Sequence, residues 1–251
     1  RSADPMSDEA PSPEAQARLE LEAWRERQLR GPGLWDRATR ATQDRINRAI
    51  PERVHQVVTG AVEQMTRGIL TGSDWTTMKP LADVSLAERE ARVRERVNFY
   101  RSAASEEGGA AGAGGLLMVA ADFPALMAIK VKMLFEIAAL YGHSGRTPRE
   151  RLFILRIFQL AFSSARHRPE ALALLEAEAD PHEPGVSLED FDWHRFQLEY
   201  RDYIDVPKLA QLLPIVGAPV GAVVNWRLTD RQATTAMNAC RLGHFQREDA
   251  A

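Results

Sequence analysis

The chain has 251 residues, 45% of them apolar and 27% charged, with a formal net charge of -3. That length and balance fit a globular fold with a substantial core, and the charge gives no electrostatic reason to expect a nucleic-acid partner. One cysteine, Cys240, excludes an intramolecular disulfide and a thiolate zinc cluster and points to a reducing, cytoplasmic setting.

Arg1 to Pro5 precede the first methionine and read as a cloning remnant. Residues 1–12 are acidic and proline-bearing, so they are expected to be disordered and carry no secretory signal. Residues 13–50 are predicted to form a helical extension. Within it, Pro13 to Arg30 is a charge-dense, solvated helix anchored by Leu19, Trp24 and Leu29, and Gly31-Pro32-Gly33 ends it. The main domain is expected over 51–251. It opens on an apolar helical face through Val54, Val57, Val58, Ala61, Val62, Met65 and Ile69.

Ser85 followed by Glu88 has the capping-box spacing, and the helix it starts is expected to reach about Ser105. The stretch 106–115 is too glycine-rich for a strong isolated helix, which suggests close backbone packing instead. Leu116 to Tyr141 is predominantly apolar. Gly142 to Gly145 breaks it, and Thr147-Pro148 caps a second apolar helix running to Ala165, so the two form a predicted hairpin. A short helix over 169–179, a loop at 180–185, helices over 187–204 and 207–213, and a final helix over 229–247 complete the pattern. Before the last lies a second small-residue segment, Pro214 to Asn225. No period-2 alternation occurs, which leaves an all-α, single multi-helix domain built around an apolar hairpin with Gly/Ala packing segments.

Three pieces in order, Gly108-Gly109-Ala110-Ala111-Gly112 with Ala121-Asp122-Phe123-Pro124-Ala125-Leu126, Glu136 to Gly142, and Pro214 to Asn225, carry a resemblance to the EcsC family over roughly Arg53 to Arg247. The resemblance implies a bacterial helical protein, first recognised beside ABC-transporter genes, for which no reaction is established.

Asp122 lies before Pro124 and is expected to cap the helix that follows. Glu136 and Arg156 interrupt apolar helices, and a lone buried charge needs a partner; Lys132 or Arg156 is the expected partner of Glu136. Six histidines are scattered without metal-ligand spacing, so neither a metal nor a cofactor is expected. The glycine pairs Gly108/Gly112 and Gly217/Gly221 allow close helix approach, and the surrounding stretches are too polar to span a bilayer yet apolar enough to dip into one. The expected function is therefore a non-enzymatic lipid- or acyl-chain-binding accessory protein, peripheral on the inner membrane face and, through the resemblance, linked to transport or secretion. Leu116, Leu117, Leu126, Met133, Val220 and Val224 are its lipid-contacting residues, and its partner is a membrane surface, an ABC transporter or another membrane protein. The alternative is a hydrolase drawing on Asp122, Glu136, His143 and Arg156.

Overall fold

Three helix starts are written in hydroxyl side chains. A free backbone donor at a helix start is satisfied by such an oxygen, which fixes where the helix begins. Ser12 Oγ accepts from Ala15 N at 3.2 Å, Ser85 Oγ from Glu88 N at 3.2 Å, and Thr147 Oγ1 from Glu150 N at 3.2 Å. At Thr147 the Glu150 carboxylate returns to the Thr147 N–H, so the capping box is complete, with Pro148 in the first turn.

The structure, a computed structural model, describes residues 11–30, 60, 64–69, 78–114, 116–163, 165–179 and 217–249; of residues 104–114, 116–126, 217–222 and 224 it describes the backbone. The helices are α1 (Pro13–Leu29), α2 (Leu86–Gly114), α3 (Leu116–Leu140), α4 (Pro148–Phe162), α5 (Arg168–Ala179) and α6 (Gly217–Asp249). No strand occurs among the described residues. The helices expected over 34–50, 187–204 and 207–213 and the loop at 180–185 lie outside them. Of the face through Val54 to Ile69, Met65 and Ile69 are described, and both are buried.

Several expectations change. α1 is not a free solvated helix: Ala17, Leu21 and Trp24, spaced i, i+4, i+7, bury one stripe, while Leu19 and Leu29 face solvent. α2 does not stop at Ser105 but continues through the glycines to Gly114, because packing against other helices outweighs weak propensity. α3 likewise starts at Leu116, so Asp122 sits within the helix rather than capping it, and Pro124 removes one backbone donor there. The second small-residue segment, from Gly217 on, and the expected final helix are one continuous helix, α6.

α3 ends in a left-handed turn. Gly142 takes φ of 93°, its N–H reaches Ala139 O at 3.0 Å, and His143 N reaches Ala138 O at 2.9 Å. Glycine suits that conformation because it has no Cβ to clash. α4 then departs across the turn to bury Leu152 to Phe162 almost without interruption. α6 packs against all five other helices, most extensively along α2. The core gathers Val93 and Val97 of α2, Val131, Leu134 and Ile137 of α3, Ile154, Leu155 and Phe158 of α4, and Ala236, Ala239 and Cys240 of α6. No helix among the described residues is long and apolar enough to cross a membrane.

Candidate functional site

The register of the helices follows from their ion pairs. Glu90 of α2 meets Arg241 of α6, and Arg101 of α2 meets Asp230 of α6. Glu90 to Arg101 and Arg241 back to Asp230 cover the same number of residues, so α2 and α6 run antiparallel. Arg96 of α2 holds Glu136 of α3, and Tyr141 beyond the end of α3 reaches Glu90, so α2 and α3 are also antiparallel, joined near residue 115. Lys130 Nζ of α3 donates to Thr229 Oγ1 of α6 at 2.9 Å. Carried forward, this register brings Gly108 to Gly114, Leu116 to Leu126 and Gly217 to Val224 to one end as a three-helix tip. From Arg101 to the end of α2 is about 20 Å at the usual rise.

The tip and its base differ in chemistry. No Lys or Arg occurs between Arg101 and Lys130 or from Gly217 to Trp226, and the charges of the first stretch are Glu106, Glu107 and Asp122. At the base, Phe99 at 57% and Trp226 at 42% exposure face solvent, and Val223, within the tip, is 50% exposed. The Arg101 guanidinium lies 5.1 Å from the Trp226 ring centre and that of Arg96 5.1 Å from the Phe99 ring, and Arg227, next to Trp226 in the chain, is exposed. These aromatics and arginines form a collar beneath the tip.

The opposite half is held by buried charge. Arg241 Nε and Nη2 donate to the two Glu90 oxygens at 2.6 and 2.9 Å, and Arg241 Nη1 meets Glu20 of α1 at 2.8 Å. Burial works against the Arg241 cation, but its hydrogen bonds to Glu90 more than offset that and raise its pKa. Burial and the neighbouring Glu90 carboxylate push the Tyr141 phenol well above its usual range. Burial takes the Cys240 thiol up to about 12, so it is no nucleophile.

A pocket of about 230 Å³ lies at this end, lined by His143, Arg149, Glu150, Phe153, Glu178 and Arg247 among others. Burial, helped by Arg247, lowers the His143 pKa to about 4, so the imidazole is neutral near pH 7. Burial raises the Glu150 carboxyl, yet hydrogen bonds from Ser144 and Thr147 outweigh that and hold it below its usual value. Those bonds, with that from Arg146 N, engage both oxygens in the turn. Glu150 is thereby a structural carboxylate rather than a base for the pocket.

The sequence-derived candidates fall in separate places. Glu136 is held by Arg96, at 2.8 Å from Nε, and not by Lys132 or Arg156; Lys132 is exposed, and Arg156 Nη1 meets Gln159 at 2.8 Å. Arg96 lies far along the chain, on α2, and local helix spacing cannot reveal such a partner. His143 is in the pocket. Of Asp122, Leu116, Leu117, Leu126, Val220 and Val224, the backbone places all six in the tip helices. Met133 is fully buried in the core. The collar was missed, although Phe99 beside Arg101 and Trp226 beside Arg227 are an aromatic–cation pairing visible in the sequence.

A family model, the EcsC protein family, matches residues 15–244, from within α1 nearly to the end of α6. The chain belongs to the EcsC protein family. It is 40% identical to Protein EcsC of Bacillus subtilis over 167 residues, covering 66% of this chain and 68% of that protein. It is 32% identical to Uncharacterized protein YdbA of the same organism over 125 residues, covering 49% of this chain and 46% of that one. No solved structure matches. The family match therefore embraces α1, the helix whose Trp24 is buried and whose Glu20 completes the Arg241 network.

Proposed function

We propose that this EcsC-family protein is a non-enzymatic accessory protein that docks on a lipid bilayer by seating its apolar tip in one leaflet. The observation that carries this reading is the collar: Phe99 exposed beside Arg96 and Trp226 exposed beside Arg101, at the base of a tip free of cations. Aromatic rings and arginines favour the headgroup level, and a tip of about 20 Å is comparable with one leaflet of a hydrocarbon core about 30 Å thick. Burying apolar surface contributes roughly 25 cal/mol per Å², so insertion needs no large basic patch. With Arg96 and Arg101 paired to Glu136 and Asp230, the exposed Arg227 adds a modest attraction to anionic lipid. No observation favours the hydrolase alternative, since Glu136 is bound by Arg96 and His143 meets neither Glu136 nor Arg156.

Flotation of the full chain on phosphatidylcholine–phosphatidylglycerol vesicles tests this. Binding should persist in high salt and be lost when Leu117 and Leu126 are both changed to Asp in a variant shown by circular dichroism to be folded. Equal flotation by that variant, or loss of wild-type flotation in salt, would overturn the reading.

A further inference from the structure

Arg101 is the last cation of α2 before the tip, and the edge of its guanidinium is held by two surface groups. Nη1 donates to Asn98 Oδ1 at 3.1 Å and Nη2 to Asp230 of α6, while the guanidinium lies over the Trp226 ring. Trp226 and Asp230 are i, i+4 on α6 and so share a face, which sets ring, cation and carboxylate side by side in the collar. Asn98 and Trp226 are exposed, and the Asp230 side chain keeps 35% of its surface open.

The other collar arginine is held differently. Arg96 meets Glu136, whose side chain is only 5% exposed, so withdrawing that arginine strands a buried carboxylate. Withdrawing Arg101 leaves Asp230 in contact with water, where an ion pair contributes little to stability, so exchanging the carboxylate for another anion costs little. A guanidinium stacked on an aromatic ring keeps its planar fork of N–H groups for an anion. Two oxygens of a phosphate fit that fork as those of a carboxylate do.

We propose that Arg101 is a site for the phosphate of an anionic lipid headgroup, and that Asp230 is its internal competitor, holding the guanidinium until a headgroup phosphate takes the place of the carboxylate. The inference rests on the leaflet-docking reading, which brings the collar to headgroup level, and names the chemistry that the collar takes up there. Asp230 thereby sets how anionic a surface must be before Arg101 engages it. On a neutral bilayer Arg101 stays with Asp230, and docking depends on apolar burial.

The test measures binding of the full chain, at low salt, to phosphatidylcholine vesicles with and without phosphatidylglycerol, for Asp230→Ala in the wild-type background and in an Arg101→Gln background. Without Arg101, removing the acid relieves only repulsion and should tighten binding to the anionic vesicles about fivefold, the usual worth of one charge near such a surface. With Arg101 present the gain should be larger, about tenfold or more, because the freed fork also bonds a phosphate. Binding to phosphatidylcholine alone should not change. Asp230→Asn replaces Asp230→Ala if circular dichroism shows the latter unfolded. Equal gains in the two backgrounds, or a gain on phosphatidylcholine as large as on the anionic vesicles, would overturn the site and leave leaflet docking standing. Wild type and Asp230→Ala that both bind neither vesicle would overturn docking and the site together.

Discussion

α2 and α6 meet in two different ways at their two ends. At one, Glu90 and Arg241 exchange two charge-assisted hydrogen bonds in the interior, and Glu20 of α1 closes over them. At the other, Gly108 to Gly114 and Gly217 to Val224 offer each other only glycine, alanine, proline and valine. Ion pairs fix a register because they tolerate no slip, whereas small residues permit close approach at many registers. With register fixed at the charged end, the apolar end is relieved of specifying the fold, and its composition can serve a surface function instead.

The comparison is broken most directly at Arg241. Arg241→Met leaves the buried Glu90 with only the longer contacts from Arg94 and Tyr141, both at 3.4 Å, and should cost ~3 kcal/mol in urea unfolding. Adding Glu90→Leu should recover much of that loss, since a packed apolar pair can replace a buried ion pair. A loss below ~1 kcal/mol from the single change would mean that this end does not set the register.

Glu136→Gln comes next, with an expected loss of ~1.5–3 kcal/mol, the usual worth of a hydrogen bond to a charged group. Arg96→Ala should reproduce it and Lys132→Ala should not, which separates the observed partner from the one that helix spacing suggests. This pair shows where sequence reading stops. Local signals survive: the Thr147–Glu150 capping box, the Ser85 cap and the turn at Gly142 were all readable because their partners lie within six residues in the chain. Glu136 with Arg96 and Glu90 with Arg241 join separate helices, so no spacing rule reaches them. The continuation of α2 through its glycines was likewise invisible, because it depends on neighbours rather than on propensity. Family membership was readable from the small-residue segments, while the collar lay in single residues on two distant helices.

His143 sharpens the charged end through pH. Its pKa is near 6.5 when exposed and about 4 when folded, so below pH 6.5 the unfolded chain binds the proton that the folded one refuses. The stabilisation tied to its neutral form should be complete above pH 6.5, fall from there to pH 4 and level off below, each unit of difference being worth about 1.4 kcal/mol at most. His143→Gln should flatten that part of the stability–pH curve relative to wild type. Parallel curves would show that the imidazole is solvated. Thr147→Ala, which opens the capping box at the same turn, should cost about 1 kcal/mol with no new pH dependence from His143.

The smallest effect on stability belongs to the collar, and it is the most informative about function. Trp226 is 42% exposed and its visible stabilising contact is the Arg101 guanidinium above the ring. An exposed cation–π contact is worth about 0.5–1 kcal/mol, so Trp226→Ser should unfold within that margin of wild type. Flotation on vesicles should nevertheless weaken clearly, because the indole is removed from the level where aromatic side chains favour the headgroup region. Arg241→Met, assayed below its own melting temperature, should show the opposite pattern, with stability reduced and flotation kept. If Trp226→Ser destabilises as much as Arg241→Met, or floats as wild type does, the two ends are not divided between holding the fold and meeting the membrane, and the collar is an ordinary part of the helix packing.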